Sequence, residues 1–190
     1  MKLLLAILLL TGCMAGQGRA ADKDYTHRIE RVDGNSVCSA TAVGQRTLLS
    51  AAHCFKDKPG VIVVDGIAVG VLGIELDGKD HALVTVTITF ANVAKVSTTA
   101  TVGPAQGARV HWYGQPMGLE QVYGEGIVVG MRDDRYLLDA NIWFGVSGAG
   151  LFNERGEVVG VVSGILGEQI YKLGFAWPLA FTQEQWRQVK

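Results

Sequence analysis

The stretch Val84-Thr85-Val86-Thr87-Ile88-Thr89-Phe90 alternates strictly, with Val84, Val86, Ile88 and Phe90 on one face of an extended chain and three threonines on the other. Successive side chains of a strand point to opposite faces, so this period of two predicts a half-buried β-strand. The same reading, carried outward, gives shorter strand candidates at 37–43, 47–51, 61–64, 67–72, 110–113, 126–131, 135–139, 150–153, 157–163 and 174–177. Asp33-Gly34, Asp65-Gly66, Asp77-Gly78 and Asn153-Glu154-Arg155-Gly156 supply hairpin signals between them. Many short strands at this spacing predict an all-β sandwich or barrel. One helix is expected near the C-terminus, where Thr182 and Gln185 read as a capping box. A loop rich in Ser, Thr, Gly and Pro, roughly 97–107, divides the strands into two sets.

Composition agrees. The 190 residues include 25 glycines, almost twice the usual ~7% share. A helical bundle is disfavoured, since each glycine costs ~1 kcal/mol in a helix interior. The chain is 48% apolar and only 18% charged, which excludes a disordered polymer. With 17 Lys+Arg against 18 Asp+Glu it has no basic excess to bind nucleic acid by counterion release.

Met1-Lys2 and the apolar run Leu3–Leu10 have the pattern of an export signal. Eight apolar residues are too few to span a bilayer, which takes about 20 in a helix. Leu10-Thr11-Gly12-Cys13 resembles the lipobox of bacterial lipoproteins. That resemblance implies a signal peptide at 1–12, diacylglycerol on the Cys13 thiol and an anchor or linker at 13–28. Met14 after the cysteine points to the outer membrane, so the expected location is the periplasmic side of the cell envelope. Ordinary cleavage near Gly18-Arg19-Ala20, discarding Cys13, is the alternative. Cys38 and Cys54 remain, and in an exported protein a leftover pair is expected to join. Their loop of about 15 residues would be worth ~3 kcal/mol in the chain-entropy account. Two reduced, buried thiols are the other reading.

Three segments carry chemistry. In Thr47-Leu48-Leu49-Ser50-Ala51-Ala52-His53-Cys54 a strand runs into small residues and then a histidine pinned beside a cysteine, as a general base requires. Asp80 opens Asp80-His81-Ala82-Leu83-Val84; its carboxylate could accept the second N–H of His53 and fix the tautomer. Asp77 is its rival, expected to be solvated in a turn. Gly145-Val146-Ser147-Gly148-Ala149-Gly150 places a serine between glycines, which suits a nucleophile. The Gly145 and Ser147 N–H groups could converge there as an oxyanion hole.

In the order His, Asp, Ser these segments resemble the trypsin-like (chymotrypsin-fold) serine peptidases, whose pattern is Ala-Ala-His-Cys, Asp-x-Ala-Leu and Gly-x-Ser-Gly. An α/β-hydrolase would need Ser before Asp before His and Gly-x-Ser-x-Gly, whereas position 149 is alanine. The second half is similar to the Deg/HtrA branch, through Gly114-Gln115-Pro116-Met117-Gly118-Leu119, Gly126-Ile127-Val128, Asp139-Ala140-Asn141 and Gly174-Phe175-Ala176-Trp177-Pro178. The resemblance covers roughly 30–180. It implies two packed antiparallel six-stranded β-barrels, the first (29–98) carrying His53 and Asp80. The second (99–190) carries Ser147 and a short C-terminal helix. It also implies a serine endopeptidase acting on peptide or protein substrates, with no cofactor, no metal and no nucleic-acid partner. Activity should then fall as His53 takes up a proton, near pH ~6–7.

By the same resemblance the S1 pocket is walled by Asn141, Ile142, Trp143 and Phe144, by Ser163, Gly164 and Ile165, and by the strand from Gly174. Asn141 at the base disfavours Arg or Lys at P1, and small or aliphatic side chains are expected. Four departures stand out. Val146 replaces the usual Asp or Asn before the serine, so no zymogen switch through an ion pair is expected. Ala149 and Gly150 replace the common Gly-Pro or Gly-Ala pair. His81 stands where the family has an aliphatic residue, and strand alternation turns it away from the triad. His27 and His111 are read as structural. Val146 and the aromatic pair Trp143-Phe144 sustain an alternative, a catalytically inactive trypsin-fold lipoprotein acting as an envelope binding module.

Overall fold

A computed structural model describes residues 22–97, 103–167 and 173–189. The expected signal peptide, Cys13 and most of the expected linker lie outside these described residues, as does part of the dividing loop.

The first set of strands comprises β1 (Thr26–Arg31), β2 (Val37–Gly44), β3 (Thr47–Ala51), β4 (Val61–Val64), β5 (Ile67–Leu76) and β6 (His81–Val86). They close an antiparallel barrel in the order β1-β2-β3-β6-β5-β4, with β4 returning to β1. The second set comprises β7 (Lys95–Val96), β8 (Arg109–Gly114), β9 (Val122–Arg132), β10 (Arg135–Asp139), β11 (Gly150–Phe152), β12 (Glu157–Leu166) and β13 (Leu173–Pro178). Here β11 pairs with both β8 and β12, which closes a second six-stranded barrel, and β7 adds in parallel to the start of β12. One short helix, α1 (Gln183–Arg187), follows. Thr182 caps it with the expected box: its hydroxyl accepts from Gln185 N–H, and the Gln185 side chain accepts from Thr182 N–H.

Two differences from the sequence expectation matter. The alternating strand ends at Val86 rather than Phe90. Beyond it the amides of Thr87 and Phe90 bond the Gly70 and Gln45 carbonyls singly, and the chain leaves the ladder while Phe90 stays buried. The first barrel also begins at Thr26, inside the stretch expected to be linker. Thr26 is buried and pairs with Thr41 across β2, so burial of the backbone ladder, not an apolar stripe, sets that start.

Each barrel has its own core. Ile29, Leu48, Val64, Val84 and Val86 fill the first, and Val110, Trp112, Leu138, Val146 and Val162 fill the second. A third cluster joins residues from both: Leu49, Ala51 and Leu83 meet Phe152, Val158, Val161 and Phe181. Neighbouring residues therefore serve different cores. Leu48 points into the first barrel and Leu49 into the seam; Val162 points into the second barrel and Val161 into the seam. Strands covered on both faces lose the polar alternation of half-solvated ones, which is why β3 reads as a continuous buried run.

Candidate active site

His53 lies in a single 3-10 turn, Ala52–Phe55, that ends β3 at the seam. The Cys38–Cys54 disulfide forms as expected and ties that turn to β2. Asp80, immediately before β6, receives the turn from three directions. Its carbonyl accepts from Ala52 N–H at 3.0 Å, its Oδ1 from His53 N–H at 3.0 Å, and its Oδ2 from His53 Nδ1 at 2.8 Å. Facing a carboxylate, Nδ1 must be the donor, which leaves Nε2 of the neutral ring free to act as a base. Burial pushes the Asp80 carboxyl up, but the His53 ring, its charge and amide, and the Ser163 hydroxyl outweigh this and hold it below the usual carboxylate range. Its side chain is 23% exposed against 35% for His53, so the imidazole is the more open to a substrate.

Ser147 sits in the turn between β10 and β11. Gly148 has φ +92°, and a Cβ there would lie 2.1 Å from the Ser39 carbonyl oxygen. Gly145 has φ +97°, and a Cβ would lie 2.2 Å from the Gln115 carbonyl oxygen. Only glycine satisfies both the left-handed backbone and these approaches. The loop's amides are otherwise engaged: Val146 N–H bonds Trp143, Gly148 N–H bonds Val162 and Ala149 N–H bonds Val146. The N–H groups of Gly145 and Ser147 have no partner among the described residues. The Ser147 hydroxyl donates to the Ser163 carbonyl at 3.3 Å.

Ser163, expected only as a pocket wall, stands between the two halves of this constellation. Its carbonyl accepts from the Ser147 hydroxyl, and its own hydroxyl, which donates to the Val161 carbonyl at 3.4 Å, is among the groups that hold the Asp80 carboxyl down. Ser39 was not anticipated at all. Its N–H donates to the Ser147 carbonyl at 2.8 Å, its hydroxyl donates to the Gly145 carbonyl at 2.8 Å, and that hydroxyl accepts from Gln115 N–H at 3.0 Å. Two residues along β2, Thr41 Oγ1 accepts from Gly150 N–H at 2.9 Å. The available signal is the pair of small hydroxyls at period two within an otherwise apolar strand that is buried from Cys38 onward.

Of the remaining expected residues, Ile142 is buried and its Cδ1 would be 2.2 Å from a Cβ on Gly174. The Phe175 ring lies over Gly164, 3.0 Å from where a Cβ would be. Asn141 is exposed, Ile165 is half-buried against the second core, and Trp143 and Phe144 are 56% and 86% exposed. Val146 is buried in the second core, so an apolar side chain packs at the position before the serine. His27 pairs with Asp65 and His111 with Asp22, both outside the site. Asp77 is not solvated, as the turn reading expected; its side chain is fully buried against His81. Among the described residues Cys38, His53 and Cys54 cluster like metal ligands, but the disulfide occupies both sulfurs and Asp80 holds His53 Nδ1.

Closed twin barrels with His, Asp and Ser on loops at their seam define a chymotrypsin-type architecture. The chain belongs to the trypsin-like peptidase domain family, which it matches over residues 38–161. Among solved structures it is similar to the serine endoprotease from Yersinia pestis, at TM-score 0.72 and 22% identity over 94% of this chain and 67% of that one. It is also similar to the inactive form of a serine-to-alanine mutant of Rv3671c from M. tuberculosis H37Rv, at TM-score 0.72 and 17% identity over 90% and 89% of the two chains. At these identities the likeness is one of fold. No curated protein sequence matches the chain.

Proposed function

We propose that the protein is a serine endopeptidase in which His53 is general base and then general acid, Asp80 orients it, and Ser147 is the nucleophile. The observation that carries this reading is the double grip of Asp80 on His53, by ring and by backbone amide, which fixes one tautomer. The Ser147 hydroxyl turns from the Ser163 carbonyl to His53 Nε2, gives up its proton and attacks the peptide carbonyl carbon. The carbonyl oxygen becomes an oxyanion held by the Gly145 and Ser147 amides. His53 then protonates the leaving amine, and water hydrolyses the acyl-enzyme by the same steps. Ile142 fills the space beside the bare Gly174 backbone and so favours a small or aliphatic P1 side chain, and Asn141 offers no carboxylate for Arg or Lys.

A fluorophosphonate probe tests the reading directly. Labelling at Ser147, lost in Ser147→Ala and His53→Ala, is expected; a folded protein that resists the probe and cleaves no unfolded substrate overturns it. The inactive binding-module reading draws on the bond that turns Ser147 towards Ser163, and it predicts that second outcome.

We also propose that the chain is exported and lipid-anchored through Cys13 on the periplasmic face of the cell envelope. The disulfide supports an oxidising compartment. No helix among the described residues is long and apolar enough to cross a membrane. Metabolic labelling with radioactive palmitate, lost in Cys13→Ala together with membrane fractionation, is the expected result; a soluble, unlabelled mature chain overturns it.

A further inference from the structure

The proposed reaction leaves one buried pair of titratable groups unused. Asp77 and His81 side chains are both fully buried. Asp77 Oδ1 accepts from Lys79 N–H at 2.9 Å and from His81 N–H at 3.3 Å, while Oδ2 meets His81 Nδ1 in a short contact. One carboxylate thus closes Asp77-Gly78-Lys79-Asp80-His81 into a ring, and Asp80 rides on it. On the other side His81 Nε2 lies 3.2 Å from the Trp177 carbonyl, on β13 of the second barrel. Trp177 pairs with Val161 of β12, two residues before Ser163, whose carbonyl accepts from the Ser147 hydroxyl.

Both ring nitrogens of His81 therefore face oxygens that accept. Burial pushes the Asp77 carboxyl up, but the bond and charge of His81 and the amides of Lys79 and His81 hold it below the usual range, so it is an anion with no proton to give. A carbonyl has none either. The two bonds coexist only if each nitrogen carries a proton, and an unpartnered acceptor in this dry setting would be costly. The surroundings are few. Asp77 and Asp80 come from its own loop, β3 presents Ala51 opposite, and the Phe181 ring centroid is 6.0 Å away. Lys79 Nζ lies over the Trp177 ring at 5.2 Å and pairs with Asp134. Arg135 lies over the same ring at 5.2 Å.

We propose that His81 is a positioning residue: donating from both ring nitrogens, to Asp77 and to the Trp177 carbonyl, it clasps the Asp80 loop to the second barrel and so sets Asp80 on His53. This rests on the triad reading and deepens it, adding a histidine that touches no substrate and acts through Asp80. A leucine there would fill space but bind neither acceptor.

The test has two arms. In Ser147→Ala protein labelled with 15N-histidine, the His81 signals, assigned by their loss in His81→Gln, show which ring nitrogens carry N–H. Two N–H nitrogens are expected; a neutral tautomer with one bare nitrogen overturns the proposal. In the same background, amide exchange of Ala52 and His53, which bond Asp80, should speed up in His81→Gln and further in His81→Leu. In the active chain those variants should lower kcat about tenfold or more with KM within about twofold, Gln retaining more than Leu. Variants that lose only melting temperature while keeping kcat and amide protection mark His81 as a packing residue and overturn the proposal. If the wild-type chain neither labels nor cleaves, the triad reading fails by itself, while the nitrogen signals and amide exchange still decide the clasp.

Discussion

Ser39 and Ser147 are joined across the barrel seam: the Ser39 N–H donates to the Ser147 carbonyl at 2.8 Å while the Ser39 hydroxyl holds the Gly145 carbonyl from the same strand. Two peptide carbonyls on either side of Val146 are thus fixed by one residue of the other barrel. These two peptide planes, Gly145–Val146 and Ser147–Gly148, flank the peptide that carries the Ser147 N–H.

Ser39→Ala should be felt in both stability and rate. It leaves the buried Gln115 N–H and the partly buried Gly145 carbonyl unpaired, at a cost of about 1–3 kcal/mol. Because the substrate does not touch Ser39, kcat should fall about tenfold or more with KM little changed. Denaturant melts and steady-state kinetics on one peptide check the two effects separately.

Asp80→Asn should keep the fold and lose the chemistry. An amide nitrogen facing Nδ1 selects the tautomer with its proton on Nε2, which cannot accept from Ser147. A drop of about 10⁴-fold in kcat is expected. Circular dichroism and melting near the wild-type values, together with lost fluorophosphonate labelling, would show that the deficit is in the tautomer.

Ile142→Ala should widen substrate choice. The isoleucine occupies the space that the bare Gly174 backbone leaves, so shortening it admits longer P1 side chains such as Leu or Phe. Removing a buried isoleucine side chain costs roughly 2–5 kcal/mol, so the profile must be taken well below the melting point. A peptide library with unchanged P1 preference would remove Ile142 from the pocket.

Acid should unfasten the β7–β12 junction late. Hydrogen bonds from Lys95, Asn153 and Arg155 pull the Glu157 carboxyl from 4.5 to about 2. A depressed folded value means stability fully present above the ordinary value and lost as pH falls through about 2. Glu157→Gln should therefore flatten the stability curve between about pH 4.5 and 2, read as denaturant midpoints. Lys95 and Arg155 are 75% and 73% exposed, so added salt should shrink the difference.

Legibility in the sequence followed distance along the chain. His53, Asp80 and Ser147 each sit in a short motif whose small neighbours are part of the signal, and the Thr182–Gln185 cap closes within three residues. The β1 strand was hidden because Ile29 is its sole apolar residue. Its polar side chains find partners far away, as His27 does in Asp65 and Arg28 in the Gly118 carbonyl. Ser39 was hidden for the same reason, with hydroxyl partners 76 and 106 positions away. Asp77 looked like a turn residue because a dipeptide pattern carries no information about Trp177, which arrives from the other barrel to bury its partner His81.

The seam formed by Leu49, Ala51, Leu83, Phe152, Val158, Val161 and Phe181 has a bearing on how the molecule can be divided. Either barrel produced alone would turn a greasy flank to water along strands already full on their inner side. Such halves should clump or stay partly unfolded, and should regain solubility when co-expressed. The two barrels are for that reason obligate partners that melt together. The seam between them is a fixed feature of one cooperative body.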